Sequence, residues 1–116
     1  MEVKAVDHSV QVEMGAPAND AGACCTWLDG LLNAGADIDI AAFNDYAGNA
    51  TAVATKYRTT LDAHGRGTTP IWLGEYGVDP RSPTVDDADQ VALMQQVLGS
   101  SAPIAVAQWY NLRDDM

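Results

Sequence analysis

Short apolar runs alternate with longer amphipathic stretches along the chain. Turn-forming residues flank most of the four apolar runs, whose bodies hold few charged side chains. Runs of this kind are typical of strands that are buried on both faces of a parallel sheet. Strands are therefore predicted over residues 9–15, 37–46, 70–77 and 103–112.

The stretches between these strands carry apolar residues at helical spacing and end near glycines, which commonly follow the last turn of a helix. Helices are predicted over residues 21–36, 49–67 and 84–100. In the third helix, Thr84 is the predicted N-cap and Asp87 stands at the capping-box position. The predicted apolar stripe of this helix consists of Val91, Met94, Val97 and Leu98.

The resulting order, βαβαβαβ, repeats about every 30 residues, which is the length of one βα unit. Such alternation favours an α/β fold with a parallel sheet. An open doubly wound sheet and a piece of a (βα)8 barrel both fit this pattern. A whole barrel needs about 250 residues, so the 116 residues of this chain are expected to form a single partial domain, residues 1–116.

The negative net charge of the chain excludes two classes of binding partner. The chain has a net charge of −10 with six lysines and arginines, so it cannot build the basic surface that nucleic acids and anionic lipids require. No apolar run is long enough to span a bilayer. We therefore expect no nucleic-acid partner and no membrane partner, and a neutral substrate suits this composition.

The two cysteines, Cys24 and Cys25, are adjacent in the sequence. A bridge between neighbours is strained, and the spacing matches no metal-ligand motif. The cysteines are therefore predicted to be small core residues on a helix, and no metal site is expected.

Polar and aromatic residues concentrate where the predicted strands end, in "FNDY", "GEYG" and "WYNLRDD". Function lies at the C-terminal ends of the strands in both candidate architectures. Because side chains alternate along a strand, Glu75 is predicted to share a face with Leu73. If that face looks toward a barrel axis, Asn44, Tyr46 and Trp109 converge on Glu75.

Each of these residues also has a structural interpretation. A buried carboxylate is costly unless it is paired, so Glu75 could cap a helix or pair with Arg113. Trp109 could belong to the core, and Asn44 could be a turn residue at a strand end. Tyr46 could serve an interface through its hydroxyl group.

Three motifs carry a resemblance to a known family. "PIWLGEYG" resembles the seventh-strand motif of clan A retaining glycoside hydrolases, W-L-T-E-[FY]-G. "VAQWYNLRDD" resembles their eighth strand, especially in family 39 and the related family 5-like barrels. "DIDIAAFNDY" resembles their sixth strand, which usually ends in H-x-Y. The resemblance covers nearly the whole chain and implies the second half, strands five to eight, of a (βα)8 TIM barrel.

The resemblance also implies roles for individual residues. Glu75 would be the nucleophile, and Tyr46 would donate a hydrogen bond that orients it. Trp109 would form the aromatic floor under the sugar. Asn44 would contact the substrate where the family often has histidine, and Gly74 stands where the family usually has threonine. The family chemistry requires no cofactor.

The acid/base of the clan follows an asparagine at the end of strand four, and no Asn-Glu pair occurs in this sequence. Glu2 lies near the start, and Glu13 is better explained as a solvated or helix-paired carboxylate than as a substitute acid. The expected function is therefore that of a fragment: hydrolysis of O-glycosidic bonds in an oligo- or polysaccharide by double displacement, with poor or no activity alone. The cellular location is left open.

Three further functions stay open. A half-barrel could bind carbohydrate without turnover, or it could assemble with itself through its exposed edges, because the axis-facing Ile71 and Leu73 would lack an opposite wall. An unrelated doubly wound domain that binds a nucleotide or a protein partner is the weakest choice, because no G-x-G-x-x-G or P-loop follows any strand.

Overall fold

The computed structural model describes residues 6–17, 25–78 and 86–110. Within these ranges three helices alternate with three strands. No helix there is long and apolar enough to cross a membrane. In chain order the elements are α1 (Thr26–Asn33), β1 (Ala41–Asp45), α2 (Ala50–Ala63), β2 (Ile71–Tyr76), α3 (Asp87–Leu98) and β3 (Val106–Trp109).

The three strands form a parallel sheet in the order β1-β2-β3. The predicted α/β class with parallel strands is thereby confirmed for the described residues. The strands step across the sheet in one direction, whereas a doubly wound sheet reverses its strand order at a switch point.

The first predicted strand, residues 9–15, does not form. Glu13 makes a single parallel bridge to Ile40, and the N–H groups of Asp39 and Ile40 donate to the carbonyl of Val12 over 2.8 and 3.2 Å. A carboxylate oxygen of Asp39 accepts the N–H of Val12 over 2.7 Å. The N–H of Val12 is therefore bonded to a side chain and is not free to pair with the backbone of a neighbouring strand. The segment lies beside the start of β1 but does not form a regular strand with it.

The core lies between the sheet and α2. Tyr57 and Leu61 of α2 are fully buried together with Ile71 and Leu73 of β2. The ring of Tyr57 packs edge-to-face on Phe43 of β1, with 5.1 Å between the centroids. Burying each such side chain contributes about 1.5–3 kcal/mol. The expectation that Ile71 and Leu73 face an unfilled axis is therefore wrong, because α2 covers them.

The third helix begins later than its sequence pattern predicts. Asp86 is the N-cap, and it forms a reciprocal capping box with Asp89 in which both bonds measure 3.0 Å. The predicted cap, Thr84, lies outside the described residues. Leu93 and Val97 join the core, whereas two members of the predicted stripe, Val91 and Leu98, are exposed.

The cysteine prediction is also corrected. Cys25 is disulfide-bonded and precedes α1 with a φ of 78°, in the left-handed region. It is therefore not a helical residue, although its side chain packs against the core. Cys24 lies outside the described residues.

Candidate active site

The position of Glu75 depends on an irregularity in β2. Phe43 of β1 pairs with Leu73, but the next residue, Asn44, pairs with Glu75, so Gly74 is an extra residue on β2. Such a β-bulge interrupts the alternation of side chains. Leu73 is fully buried under α2, while Glu75 turns to the face of Asn44 and is half-buried. The predicted common face of Leu73 and Glu75 is therefore wrong.

Gly74 makes room for the side chain of Asn44. A Cβ atom at position 74 would lie 3.0 Å from Oδ1 of Asn44 and 3.6 Å from Cβ of Ala16. The backbone N–H of Asn44 donates to the carbonyl of Pro17 over 3.2 Å. Oδ1 of Asn44 is buried and has no hydrogen-bond partner among the described residues. Asn44 thus stands beside Glu75 with its side-chain oxygen turned toward the glycine.

Tyr46 and Glu75 meet across the tips of β1 and β2. The hydroxyl of Tyr46 donates a hydrogen bond to Oε2 of Glu75, and Tyr46 is 38% exposed. Burial, the hydrogen bond to Glu75, the charge of Glu75 and the charge of Tyr110, in that order of importance, together raise the pKa of Tyr46 to about 12. The phenol therefore remains a protonated donor throughout the neutral range.

Asp45 fixes the backbone next to Tyr46. Its side chain is nearly fully buried and accepts the N–H groups of Ala47 and Asn49 over 3.1 and 2.7 Å. These bonds close the loop between β1 and α2. An aspartate at the end of an apolar strand is a recognisable sequence signal for a turn of this kind, in which the side chain accepts backbone N–H groups a few residues later.

The tip of β3 presents two aromatic residues to different neighbours. Trp109 pairs with Tyr76 and packs edge-to-face on its ring, with centroids 5.1 Å apart and an interplanar angle of 89°. The next residue, Tyr110, contacts the ring of Tyr46 instead, over 6.3 Å and at 84°. The structure thus groups Glu75, Tyr46 and Tyr110, and gives Trp109 a contact with Tyr76.

A role for Tyr110 was not predicted from the sequence. The signal that could have indicated it is Gly77, which directly follows Glu75 and Tyr76. The N–H of Tyr110 donates to the carbonyl of Tyr76 over 2.9 Å, and a Cβ atom at Gly77 would lie 2.0 Å from the carbonyl oxygen of Tyr110. A glycine at this position permits the backbones of the two strand tips to touch.

The remaining acidic candidates stand apart from this group. Glu13 is exposed at its bridge to Ile40, while Glu2 and Arg113 lie outside the described residues. No group of three or more His, Cys, Asp or Glu side chains in the described ranges could hold a metal ion.

Comparison with known proteins gives a structural match. No family profile and no curated protein sequence matches the chain. A solved structure, that of a glucosidase from Croceicoccus marinus, is similar with a TM-score of 0.67 and 18% sequence identity. The match covers 92% of this chain and 25% of the glucosidase. At this identity the likeness establishes a shared fold, and the chain spans about a quarter of that enzyme's length.

Proposed function

We propose that the chain is part of the second half of the (βα)8 barrel of a retaining glycoside hydrolase, in which β1, β2 and β3 are strands six to eight and Glu75 is the nucleophile. The observation that carries the proposal is the hydrogen bond from Tyr46 to Glu75 at the tips of adjacent parallel strands. The sequential strand order, the glucosidase-like fold and the strand motifs of clan A families 39 and 5 support it.

The hydrogen bond from Tyr46 engages one oxygen of the Glu75 carboxylate and leaves the other oxygen available for reaction. With Oε2 of Glu75 held by the phenol, Oε1 is the oxygen that attacks the anomeric carbon, and the aglycone departs as a glycosyl ester forms. Water then attacks the same carbon and releases Glu75. Asn44 and Trp109 are proposed to bind the sugar, the former through its amide and the latter through its ring face.

Retaining hydrolysis also needs a second carboxyl group about 5–5.5 Å from the nucleophile, to protonate the leaving oxygen. The glutamates among the described residues are Glu13 and Glu75, and Glu13 is exposed beside Ile40. We therefore assign the acid/base to a part of the enzyme beyond this sequence. The chain alone should hydrolyse ordinary glycosides poorly or not at all.

An activated substrate tests the nucleophile without requiring the missing acid. A 2,4-dinitrophenolate leaving group departs without protonation, and fluorine at C2 slows hydrolysis of the glycosyl ester. We would incubate the chain with each anomer of 2,4-dinitrophenyl 2-deoxy-2-fluoroglucoside and of the galacto and xylo analogues. Mass spectrometry of the intact chain and its peptides then locates the label.

The expected result is one added glycosyl group on Glu75. Glu75→Gln should lose the label, while Glu13→Gln, the matched control, should keep it. Labelling that persists in Glu75→Gln would show that another residue is the nucleophile.

A second candidate function is carbohydrate binding without turnover. Two observations favour it. The rings of Tyr46 and Tyr110 are exposed at the strand tips. Among the described residues, no second glutamate contacts Glu75. An unlabelled chain that still binds the free sugar in an NMR titration, with binding lost in Trp109→Ala and kept in Glu75→Gln, would support this candidate over hydrolysis.

A further inference from the structure

We infer that Tyr110 is a positioning residue that holds Tyr46 in the orientation from which its hydroxyl reaches Glu75. The inference rests on the proposed role of Glu75 for its functional meaning. The contacts themselves join three side chains at three neighbouring strand tips, and they can be tested without a sugar.

Tyr46 needs such a support because of its place in the chain. It follows the last residue of β1, so the strand ladder does not set its side chain, and it is 38% exposed. The ring of Tyr110 meets the ring of Tyr46 at 6.3 Å and 84°. This lies within the range favoured for edge-to-face aromatic pairs, which attract each other beyond the effect of the area they bury.

Tyr110 is itself anchored to the strand that carries Glu75. Its N–H donates to the carbonyl of Tyr76, and its own carbonyl lies against Gly77, which has no room for a Cβ atom. The contacts therefore close a circuit: β2 holds the backbone of Tyr110, the ring of Tyr110 holds Tyr46, and the hydroxyl of Tyr46 returns to Glu75 on β2.

The electrostatics agree with this circuit. The pKa of Tyr46 is raised first by burial, then by Glu75, and also by the charge of Tyr110. Removing the Tyr110 ring uncovers one side of Tyr46 and loosens its bond to Glu75. Both changes stabilise the phenolate relative to the phenol, so the pKa of Tyr46 should fall.

The experiment is an NMR titration of the full chain labelled with [ζ-13C]tyrosine, in which the signal absent from Tyr46→Phe identifies Tyr46. Three-bond couplings at neutral pH report its χ1 rotamer. In Tyr110→Ala we expect the midpoint to fall from about 12 toward the ordinary value of 10.0, together with averaged couplings. Tyr110→Phe keeps the ring contact and should keep a single rotamer and a raised pKa.

Two controls exclude a general structural effect. Trp27→Ala removes an aromatic side chain of similar exposure from α1 and should leave Tyr46 unchanged. In the Glu75→Gln background, Tyr110→Ala should shift the Tyr46 midpoint less than in the wild-type chain, because the bond that Tyr110 protects is already weakened. If Tyr110→Ala does not fold, Tyr110→Leu tests the same contact with a non-aromatic side chain that still covers apolar surface.

An unchanged rotamer and midpoint in Tyr110→Ala, or in Tyr110→Leu, would overturn the inference. If Tyr46 responds as expected while the fluoroglycosides leave Glu75 unlabelled, the positioning role stands and the proposed function falls. The two failures are thus distinguishable.

Discussion

The phenol of Tyr46 determines how the site responds to alkaline pH. Its folded pKa of about 12 exceeds the ordinary 10.0, so the folded state binds this proton more tightly than the unfolded state. The associated stability is complete below pH 10 and is lost as pH rises through 12. Urea unfolding between pH 9 and 12 should therefore show a smaller loss for Tyr46→Phe than for the wild-type chain.

Tyr76 contributes to the alkaline loss of stability in both proteins of that comparison. Burial also raises its pKa, so deprotonation of Tyr76 at alkaline pH adds a loss of stability in the same direction. Since both proteins retain Tyr76, the difference between their curves isolates Tyr46. Parallel curves would contradict the raised pKa of Tyr46.

Gly77 should be the least replaceable glycine at the strand tips. In Gly77→Ala the new methyl group would lie 2.0 Å from the backbone oxygen of Tyr110, so the two strand ends must separate. We expect a loss of about 3 kcal/mol in the free energy of urea unfolding, at the upper end of overpacking effects. Gly30→Ala is the matched control, because a Cβ atom there meets no atom within 4 Å.

Gly30 lies inside α1, where alanine is favoured over glycine by about 0.5–1 kcal/mol. The two substitutions should therefore change the stability in opposite directions. A Gly77→Ala protein as stable as the wild type would show that the strand tips do not touch in solution.

The residues of the candidate site were only partly predictable from the sequence. The glutamate and the tyrosine at neighbouring strand ends could be located, because polar side chains that follow apolar runs are conspicuous. The face of Glu75 could not be predicted, because period-two alternation fails at the Gly74 bulge. Trp109 and Tyr110 are consecutive and face opposite sides, so the change of face at Glu75 leaves Tyr110, and not Trp109, on the side of Tyr46. The contact between Tyr110 and Tyr46 was therefore not predictable either.

At the scale of elements, α3 depends on the cap at Asp86. Asp86→Ala removes the acceptor for the N–H of Asp89 and should lower the free energy of unfolding by about 1 kcal/mol. Gln95→Ala, an exposed change in the last turn of the same helix, should stay within about 0.5 kcal/mol of the wild type. Equal effects of the two substitutions would contradict the capping box.

The order of elements was more predictable than their ends. Apolar periodicity identified all three described helices and all three strands, because each of them contributes side chains to the core or packs side chains against it. It failed for residues 9–15, where the side chain of Asp39 competes for the N–H of Val12. It also misplaced the start of α3, because an Asp86–Asp89 box is as effective a cap as the Thr84 signal that the sequence suggests.

At the scale of the whole molecule, the described sheet has a border at β3. This strand pairs with β2 on one side, and its Val106 is 37% exposed. The apolar side chains of Val97, Leu98 and Ile104 contribute to the lining of a groove of about 180 Å³ next to it. A strand border beside apolar surface favours association with another chain, while the net charge of −10 opposes contact between two copies.

These opposing effects predict that self-association depends on salt. Screening weakens the repulsion between exposed charges at ionic strengths near 0.15 M and above, so the weight-average mass in sedimentation equilibrium should increase from low to high salt. Val106→Lys places a charge on the border strand and should keep the chain monomeric at both. Val91→Lys, at a more exposed position on α3, is the matched control and should associate like the wild type. Equal suppression by both lysines would indicate that net charge, rather than the β3 border, governs association, and a monomer at every salt concentration would exclude assembly of the isolated chain through this border.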